Sequence, residues 1–360
     1  MRPEVQRKII DRLNAAIQDP SSEIDTRSTR ISVDRYIEPS ELAREQTSLF
    51  RRQPVIVAHV SELAAPRDFV TETVGGVPLI ILRNDEGEIR VFINACRHRG
   101  ARLLEGTEGS CKRTITCRYH AWTYDLDGSL IHVPGAEVFE DLDPSTMGLR
   151  SVRHQVLHGF VWVVLDGSAE FPELAGWLGP VVDDDLTAFD LAGHEVARSL
   201  TTVKKANWKL VMDAFAEGYH LKSLHRQSLA RFFIETSIVD DCAPHVRQVG
   251  ARKSLLEKTE EGEEGAAAWD FREDTTVFYN LFPNAVLVFH PDWVSQMSLF
   301  PVGVDGVRVV HRMLVPGGVR DEVTKAQLEK SFEHIHGQVF EKEDLSIAES
   351  IQSTLTSGAN

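Results

Sequence analysis

Two short segments of the sequence each combine one cysteine with one histidine, and this pairing most constrains the fold. Cys96 and His98 form a C-x-H segment, and Cys117 and His120 form a C-x-x-H segment further along the chain. Each segment follows a predicted strand and precedes a glycine-containing loop. Because thiolates and imidazoles are soft metal ligands, two such loops predict a small inorganic centre between them.

Two kinds of centre fit four such ligands. A Cys2His2 zinc site accepts nitrogen and sulfur tetrahedrally, but zinc motifs of this type usually open with both cysteines in one knuckle. Here each loop supplies one cysteine and one histidine. This distribution suits a [2Fe–2S] cluster with two cysteines on one iron and two histidines on the other. The pattern therefore favours the cluster over zinc, and we expect Cys111 and Cys242 to be small buried side chains.

Length, composition and charge exclude several classes of protein. The 360 residues are 42% hydrophobic and 26% charged, which is typical of a globular chain of about two domains. The net charge of −15 argues against nucleic acid as a partner. No apolar run approaches the roughly 20 residues that cross a bilayer, and charged residues occupy the place of a secretory signal. We therefore expect a cytoplasmic protein without a membrane partner.

The hydrophobic pattern changes character along the chain. Short apolar, β-branched runs at 55–58, 77–82, 89–93 and 158–165 predict an all-β domain over residues 46–165. The later sequence predicts helices at 208–220 and 323–355, with strands at 276–281, 285–290, 294–301 and 306–315 between them. Strands between long helices predict an α+β domain. The acidic, glycine-containing residues 257–268 predict a mobile surface loop that could act as a lid.

A second group of candidate ligands lies in this α+β region. His220 and His225 are five residues apart, so on a regular helix they would point about 140° from each other. They can share one metal only if the helix ends or bulges after His220. The run from Glu341 to Asp344 offers carboxylates, although such a run alone is more typical of a solvated helix face. Two histidines and one carboxylate form the facial triad of non-haem Fe(II) oxygenases.

The cysteine segments CRHRG at 96–100 and CRYHAW at 117–122 resemble those of Rieske-type non-haem iron oxygenases. In these ring-hydroxylating systems the segments belong to the α (catalytic) subunit. The resemblance covers almost the whole chain. It implies an α+β fold with an all-β Rieske [2Fe–2S] domain, residues 46–165, inserted in a START-like helix-grip domain. The helix-grip part, residues 166–360, would hold a mononuclear iron, and the N-terminal helical segment 1–45 would pack on it.

The resemblance also assigns ligands by position. The cluster ligands would be Cys96, His98, Cys117 and His120, and the mononuclear iron ligands would be His220, His225 and Asp344. The family places its carboxylate at the aspartate of a Glu-Asp pair near the chain end, which matches Asp344, with Glu343 as the fallback.

Glu217 is expected to connect the two centres. It lies three residues before His220, so on one helix the two side chains would share a face. In many family members an aspartate here hydrogen-bonds a ligand histidine of each centre, one of them in the neighbouring subunit. This chain has glutamate, as some branches do. Such a carboxylate would orient both imidazoles and fix their tautomers.

The resemblance implies an oxygenase terminal component. A separate reductase, directly or through a ferredoxin, would supply electrons, so that NAD(P)H acts only indirectly. The enzyme would use O2 to hydroxylate, once or twice, or oxidatively demethylate a small organic substrate, expected to be aromatic or cyclic. The family pattern also predicts a head-to-tail homotrimer. The alternative is a Rieske electron-transfer or redox protein with a non-catalytic ligand-binding domain.

The substrate pocket is expected among the strands of the C-terminal domain. Candidate lining residues, chosen for apolar character or as polar groups in apolar runs, are Phe215, Leu221, Phe233, Phe278, Asn280, Val288, Phe289, His290 and Met297. Phenylalanine and methionine in strands are more often plain core.

Charge is unevenly distributed around the cysteine segments. Residues 97–118 carry six lysines and arginines against two glutamates, inside an acidic protein. Some of these side chains are expected to serve internal hydrogen bonds. The rest predict a basic docking patch for an acidic electron donor, since complementary charge raises encounter rates.

Overall fold

The structure is a computed structural model that describes residues 1–23, 29–260, 268–318 and 321–359. The chain forms two compact units. One unit contains residues 1–43 and 175–360, and the other contains residues 44–174, so the second is inserted in the sequence of the first. The inserted unit is built of strands, and the other combines helices with one large sheet. The predicted α+β fold with an inserted all-β domain is therefore confirmed.

The inserted unit contains three antiparallel sheets. Its strands are β1 (Val55–His59), β2 (Asp68–Val74), β3 (Val77–Arg83), β4 (Ile89–Ile93), β5 (Glu108–Ser110), β6 (Ile115–Thr116), β7 (Thr123–Tyr124), β8 (Leu130–His132), β9 (Arg153–Leu157) and β10 (Phe160–Val164). The sheet orders are β1-β10-β9, β4-β3-β2-β5 and β6-β7-β8. The four predicted apolar runs correspond to β1, β3, β4 and β10. A tight turn joins β3 to β4, and Gly87 supplies the left-handed φ of +86° there.

The core of the inserted unit positions both cysteine segments. Buried side chains from several strands, including Ile80, Leu82, Phe92 and Tyr124, pack in one cluster with Cys96 and Cys117. Apolar packing against this cluster therefore fixes the positions of the two cysteines. Cys111 packs against the same cluster and is half-buried. Cys242, in the other unit, is also half-buried.

The larger unit is built on one seven-stranded antiparallel sheet. Its strands are β11 (His194–Lys204), β12 (Phe233–Cys242), β13 (His245–Arg252), β14 (Thr275–Leu281), β15 (Ala285–Phe289), β16 (Val294–Gly303) and β17 (Gly306–Pro316). The order is β11-β17-β16-β15-β14-β13-β12, so β11 and β12 are its edges. The central strands β15 and β16 are almost entirely buried.

Helices accompany this sheet. They are α1 (Pro3–Gln18), α2 (Asp34–Ile37), α3 (Pro39–Glu45), α4 (Leu174–Ala188), α5 (Trp208–Ala216), α6 (Leu221–Leu224), α7 (Lys253–Glu260), α8 (Phe271–Asp274), α9 (Glu322–Glu333) and α10 (Leu345–Thr354). Helix α1 contacts β12 through an ion pair of 2.6 Å between Arg12 Nη1 and Asp240 Oδ1. No helix within the described ranges is long and apolar enough to cross a membrane.

The C-terminal helix differs from its prediction as one continuous α-helix. Between α9 and α10 the backbone widens into a π-helical segment, His334–Asp344. Phe332 and Phe340 pack on His311 of β17, with ring centroids 4.8 and 5.1 Å away, which places this helical stretch on the sheet. A π-helical segment shifts side chains relative to an α-helix and frequently occurs at functional sites.

Two other predictions need correction. The helix predicted over 208–220 ends at Ala216, so Glu217 lies outside it in an extended conformation. The loop predicted over 257–268 begins inside helix α7, which continues to Glu260. Residues 261–267 lie outside the described part of the chain.

Candidate metal centres

The two cysteine segments have the same backbone design. In each segment the cysteine carbonyl accepts the amide four residues on, Gly100 or Ala121, at 2.8 and 2.9 Å. Each cysteine amide in turn donates to the carbonyl five residues on, at 2.8 Å in both loops. Gly100 and Ala121 both adopt a left-handed φ, +73° and +55°. This conformation is costly for alanine, so its repetition indicates that the second loop is held in the shape of the first.

In this pair of loops the cysteines are buried and the histidines lie closer to the surface. Cys96 and Cys117 are 4% and 3% exposed, whereas His98 is half-buried and His120 is exposed. The His98 and His120 rings lie 4.8 Å apart, and His98 stacks on Trp122. Partial burial, His120 and Arg99 hold the pKa of His98 below its usual value, which favours the neutral, metal-binding imidazole.

These four residues fit a two-iron cluster. Both cysteines are free thiols rather than a disulfide, so both remain available as ligands. Two buried sulfurs and two adjacent imidazoles are the donor set in which each iron takes a matched pair. The Tyr124 hydroxyl can donate a hydrogen bond to the Cys96 thiolate, since Tyr124 Oη lies 3.3 Å from Cys96 Sγ.

The break in the helix brings His220 and His225 together. Asn207 caps the start of α5 by accepting the Lys209 amide, and the helix ends at Ala216. Glu217 then turns the chain, because its carboxylate accepts the amides of Tyr219 and His220. His220 and His225 flank the single turn α6, and their ring centroids lie 5.0 Å apart. Glu217 therefore reaches His220 across a turn, not along a shared helix face.

Asp344 completes this group from the distant C-terminal segment. It is the last residue of the π-helical segment and is 4% exposed. One ligand atom from each of His220, His225 and Asp344 lies within 4.8 Å of the others. Asp344 Oδ1 is 3.1 Å from His225 Nε2 and 3.5 Å from His220 Nε2.

The hydrogen bonds around this group indicate that a cation belongs in it. His220 Nδ1 donates to Glu217 Oε1 and His225 Nδ1 donates to Glu343 Oε2, both at 2.6 Å. Neutral imidazoles protonated at Nδ1 turn unprotonated Nε2 atoms toward Asp344. Asp344 Oδ1 is buried and accepts no hydrogen bond from the described residues. Three facing acceptors repel one another unless a positive ion lies between them, so the residues present fit an iron ion.

The pKa values agree with this electrostatic design. Burial lowers the pKa of His225, but Asp344 and Glu343 outweigh it and raise the value above normal. Burial raises the pKa of Glu343, but hydrogen bonds from Ser228, His225 and Gln338 outweigh it and lower the value. The site therefore favours positive charge on His225 beside a carboxylate that favours its ionised form.

Glu343 has a role that the sequence reasoning missed. It was the fallback ligand, yet its carboxylate accepts His225 Nδ1, Ser228 Oγ at 2.6 Å and Gln338 Nε2 at 3.1 Å. Its oxygens are thus occupied by donors, while Asp344 turns an unoccupied oxygen toward the histidines. The sequence did contain a signal for this role, namely that Glu343 and Asp344 are adjacent. Because neighbouring residues of a helix point in different directions, only one of the two can face the metal site directly.

A cavity of about 410 Å³ opens beside His220, His225 and Asp344. Its lining comes from the α5–α6 region, from β12 to β14 and from the π-helical segment: Ala214, Phe215, Glu217, Gly218, Tyr219, His220, Leu221, His225, Leu229, Phe233, Ile234, Glu235, Thr236, Ser237, Gln248, Gly250, Phe278, Val339, Phe340 and Asp344. Four predicted pocket residues are among them, namely Phe215, Leu221, Phe233 and Phe278. Most of the β12 and β13 contribution was missed because those strands were not predicted.

Five predicted pocket residues lie elsewhere, because the cavity lies over β12–β14 and not over β15 and β16. Val288 and Met297 are core residues of β15 and β16, and Phe289 packs on Phe189 at a centroid distance of 4.1 Å. His290 Nε2 contacts Ser295 Oγ at 2.9 Å, and burial lowers its pKa to about 3. Asn280 donates to the Phe215 carbonyl at 3.3 Å, so it supports the end of α5 instead of lining the cavity.

Family profiles match both units. The profile of the ring hydroxylating alpha subunit (catalytic domain) matches residues 191–360, and that of the Rieske [2Fe-2S] domain matches residues 53–144. These spans contain the two candidate centres.

Curated proteins and solved structures give the same result. The chain is 30% identical over 327 residues to the carnitine monooxygenase oxygenase subunit of Escherichia coli strain K12, which covers 89% of this chain and 83% of that protein. It is 34% identical to the glycine betaine monooxygenase oxygenase subunit of Chromohalobacter salexigens over 61% of this chain, and the match spans about half, 48%, of that relative. A quaternary ammonium Rieske monooxygenase solved with L-carnitine superposes with a TM-score of 0.76 at 25% identity, covering 91% of this chain and 85% of that one.

Proposed function

Because the chain belongs to the Rieske-type ring-hydroxylating oxygenases, we propose that it is an oxygenase terminal component, an α subunit that hydroxylates or oxidatively demethylates a small organic substrate. The observation that carries the proposal is the convergence of His220, His225 and Asp344 beside a 410 Å³ cavity. An electron carrier needs neither this triad nor a substrate cavity. The alternative reading as a Rieske electron-transfer protein is therefore disfavoured.

The proposed reaction needs electrons from outside the chain. Substrate C–H, O2, two electrons and two protons give C–OH and water, and an N-methyl carbinol then releases formaldehyde. When bound, a [2Fe–2S] cluster passes on single electrons and a mononuclear Fe(II) activates O2. A reductase, with or without a ferredoxin, would deliver the electrons from NAD(P)H.

We assign the mononuclear iron to His220, His225 and Asp344. Glu217 and Glu343 would keep the two imidazoles protonated at Nδ1, so that each Nε2 lone pair faces the metal. Three protein ligands would leave other positions of the metal open, and the cavity that these residues line would give a substrate access to them. The apolar lining around that side would limit the access of water.

We assign the cluster to Cys96 and Cys117 on one iron and to His98 and His120 on the other. The matched backbone turns support this pairing, because they present equivalent atoms from the two loops. The accessible His98 and His120 rings would form the side from which electrons leave.

We assign Glu217 as the connection between centres, across the subunit boundary of a homotrimer. Its carboxylate already bonds His220 Nδ1 and remains about half exposed, so a second histidine from another subunit can approach it. Tyr219 beside it is 97% exposed, and Tyr119, Val138 and Phe139 of the inserted unit are also exposed. Large apolar side chains in such positions favour contact with another chain. A cytoplasmic location is also proposed, and four free cysteines are consistent with it.

Metal analysis tests the proposal. The purified protein should be brown-red and contain about three irons per chain, from a two-iron cluster and one mononuclear site. His220→Ala should remove one iron and abolish substrate-dependent O2 uptake while the visible spectrum of the cluster persists. A colourless zinc protein would refute the assignment, and a coloured protein with two irons that His220→Ala leaves unchanged would identify the electron carrier.

Glu217→Gln separates electron transfer from assembly. With both metals loaded, we expect reduction of the cluster to stay normal while its reoxidation by substrate and O2 slows at least a hundredfold. Glu235→Gln, another acid of the cavity, is the matched control. Normal single-turnover reoxidation in Glu217→Gln would exclude the connecting role.

A further inference from the structure

The charged side chains that line the cavity are all acidic. Among the lining residues that the structure describes, Glu217, Glu235 and Asp344 are charged, and none is lysine or arginine. Glu235 forms an ion pair of 3.1 Å with Lys222, which does not line the cavity, so its charge is offset locally. The remaining negative charge is concentrated at the metal end.

Iron would not reverse the sign of that charge. The carboxylates of Glu217, Glu343 and Asp344 surround the two histidines. Fe(II) brings two positive charges against three negative ones, while neutral imidazoles add none. The loaded site therefore keeps one net negative charge, which attracts a cation and repels an anion at short range.

The apolar wall of the cavity is rich in phenylalanine. Phe215, Phe278 and Phe340 line it, and Phe215 meets Phe340 edge to face at a centroid distance of 5.1 Å. Phe233 also lines it, but the Arg252 guanidinium already lies over that ring, 5.5 Å from the centroid. Aromatic faces attract alkylated ammonium groups through the negative potential of their π electrons.

Apart from Glu235, which pairs with Lys222, the polar side chains of the sheet wall are neutral. Gln248 is buried, and its amide donates to Ser237 Oγ at 3.5 Å. An amide and a hydroxyl can hydrogen-bond an alcohol, but they bring no charge to balance a carboxylate. Gly250 of β13 leaves space beside Gln248, because a Cβ there would meet only Phe233 Cδ1, at 4.0 Å.

We propose that this cavity selects an N-alkylated organic cation that carries no carboxylate, such as a quaternary amino alcohol. The inference rests on the proposed oxygenase function and narrows its substrate class. Carnitine and glycine betaine, the compounds in the names of two relatives, both carry a carboxylate. This chain would therefore differ from those relatives in the charge of its substrate.

Choline and glycine betaine form a matched pair for the test, because both carry a trimethylammonium group and differ in an alcohol against a carboxylate. Calorimetric titration of the iron-loaded protein without O2 should give at least tenfold tighter binding of choline. Equal binding, or tighter binding of glycine betaine, would overturn the inference. Tighter binding of a neutral ring such as naphthalene than of either trimethylammonium compound would overturn it as well.

Two variants at one position test the role of charge. Gln248→Lys should shift the binding ratio at least tenfold toward glycine betaine, because it adds a cation to the neutral wall. Gln248→Met, of similar length, should weaken both ligands without that shift. Gly250→Ala, which reduces volume and leaves charge unchanged, should affect both ligands equally. An unchanged ratio in folded, iron-loaded Gln248→Lys would count against the inference.

The proposed charge selectivity and the proposed oxygenase function can be refuted separately. If the protein lacks mononuclear iron, or consumes no O2 with any compound, the proposed function fails whatever the cavity binds. If O2 uptake is coupled to a carboxylate substrate, the function stands and the charge selectivity is wrong.

Discussion

At the residue scale, the hydroxyl group of Tyr124 in β7 contacts the first cysteine segment. The Arg97 amide donates to Tyr124 Oη at 3.0 Å, so the hydroxyl proton can point to Cys96 Sγ, 3.3 Å away. Hydrogen bonds to cluster sulfurs stabilise the reduced, more negative state. Tyr124→Phe should therefore lower the cluster potential by about 60 mV, taking about 1.4 kcal/mol for the bond and a one-electron couple.

A redox titration followed by electron paramagnetic resonance measures this potential. Tyr119→Phe is the matched control, because Tyr119 is an exposed tyrosine of the nearby segment 117–122. Its potential should equal that of the wild type. A Tyr124→Phe potential within 10 mV of wild type, or an equal fall in both variants, would show that the hydroxyl does not act on the cluster.

We expect Glu343 to affect how tightly the mononuclear metal is held. Glu343→Gln replaces the acceptor of His225 Nδ1 with an amide that donates equally well, so the imidazole loses its fixed tautomer. We expect Fe(II) affinity to fall between about 10-fold and 100-fold in chelator competition. Glu341→Gln is the control, since Glu341 pairs with Lys204 in the same segment. Equal losses in both variants would indicate general disturbance of the π-helical segment.

His245 is expected to make stability depend on pH. It is fully buried, the Phe282 amide donates to its Nδ1, and its Nε2 contacts the Trp177 carbonyl at 3.1 Å. Burial lowers its pKa to about 4 from the usual 6.5. Between pH 6.5 and 4 the unfolded chain binds the proton and the folded chain does not. Stability should therefore decrease as pH falls through that window, by up to about 3 kcal/mol.

Chemical denaturation at pH 7 and pH 5 checks this sign. In His245→Gln the pH-dependent loss should be smaller than in the wild type, whatever the cost of the substitution at pH 7. His132, which is exposed, provides the control through His132→Gln. An identical loss in wild type and His245→Gln would assign the pH dependence to other groups.

At the element scale, the sequence predicted central strands better than edge strands. The strands β14 to β17 were predicted because they are long apolar runs buried in the sheet. The edges β11 and β12 alternate half-exposed and exposed residues, and their polar composition resembles that of loops. Strand β13 was also missed, since it buries Arg247 and Gln248. The pairing of those polar groups is tertiary and is absent from the local sequence.

The candidate ligands could be predicted, but their supporting geometry could not. Spacing and residue type pointed to His220 and His225, and the resemblance pointed to Asp344. The helix break at Glu217 and the π-helical segment depend on hydrogen bonds between distant parts of the chain, such as Glu343 with Ser228. Local propensity does not contain that information.

Arg247 connects several elements and should be important for stability. Its guanidinium donates to Asp185 of α4 at 2.6 Å and to Asp240 of β12 at 2.8 Å, and Tyr279 of β14 also donates to Asp185. Arg247→Met would leave Asp185 buried without its cation. We expect a loss of about 3–5 kcal/mol in the free energy of unfolding.

Denaturant titration of the metal-loaded protein measures that loss. Lys325→Met is the matched control, since Lys325 pairs with Glu322 on the exposed face of α9 and should cost less than about 1 kcal/mol. Similar small losses in both variants would mean that solvent or another residue compensates Asp185.

At the scale of the whole molecule, net charge and local charge have opposite signs. The chain carries −15, whereas residues 97–118 carry a surplus of basic residues. Arg118 is paired with Glu105 at 2.7 Å and Arg97 is half-buried, so part of that surplus serves the fold. Arg99, Arg102, Lys112 and Arg113 remain exposed. We propose these four side chains as a docking patch for an acidic electron donor.

Salt should therefore slow reduction of this protein by an acidic donor. With an acidic [2Fe–2S] ferredoxin as the probe, the rate of cluster reduction should fall at least fivefold between 20 mM and 300 mM NaCl, since screening weakens complementary charge. Arg113→Glu should slow the low-salt rate and flatten this dependence. Lys325→Glu changes the net charge equally but lies in the other unit, so it should leave both unchanged. Equal effects of the two variants would attribute the salt dependence to net charge, and a flat wild-type profile would remove the basis for a basic docking patch.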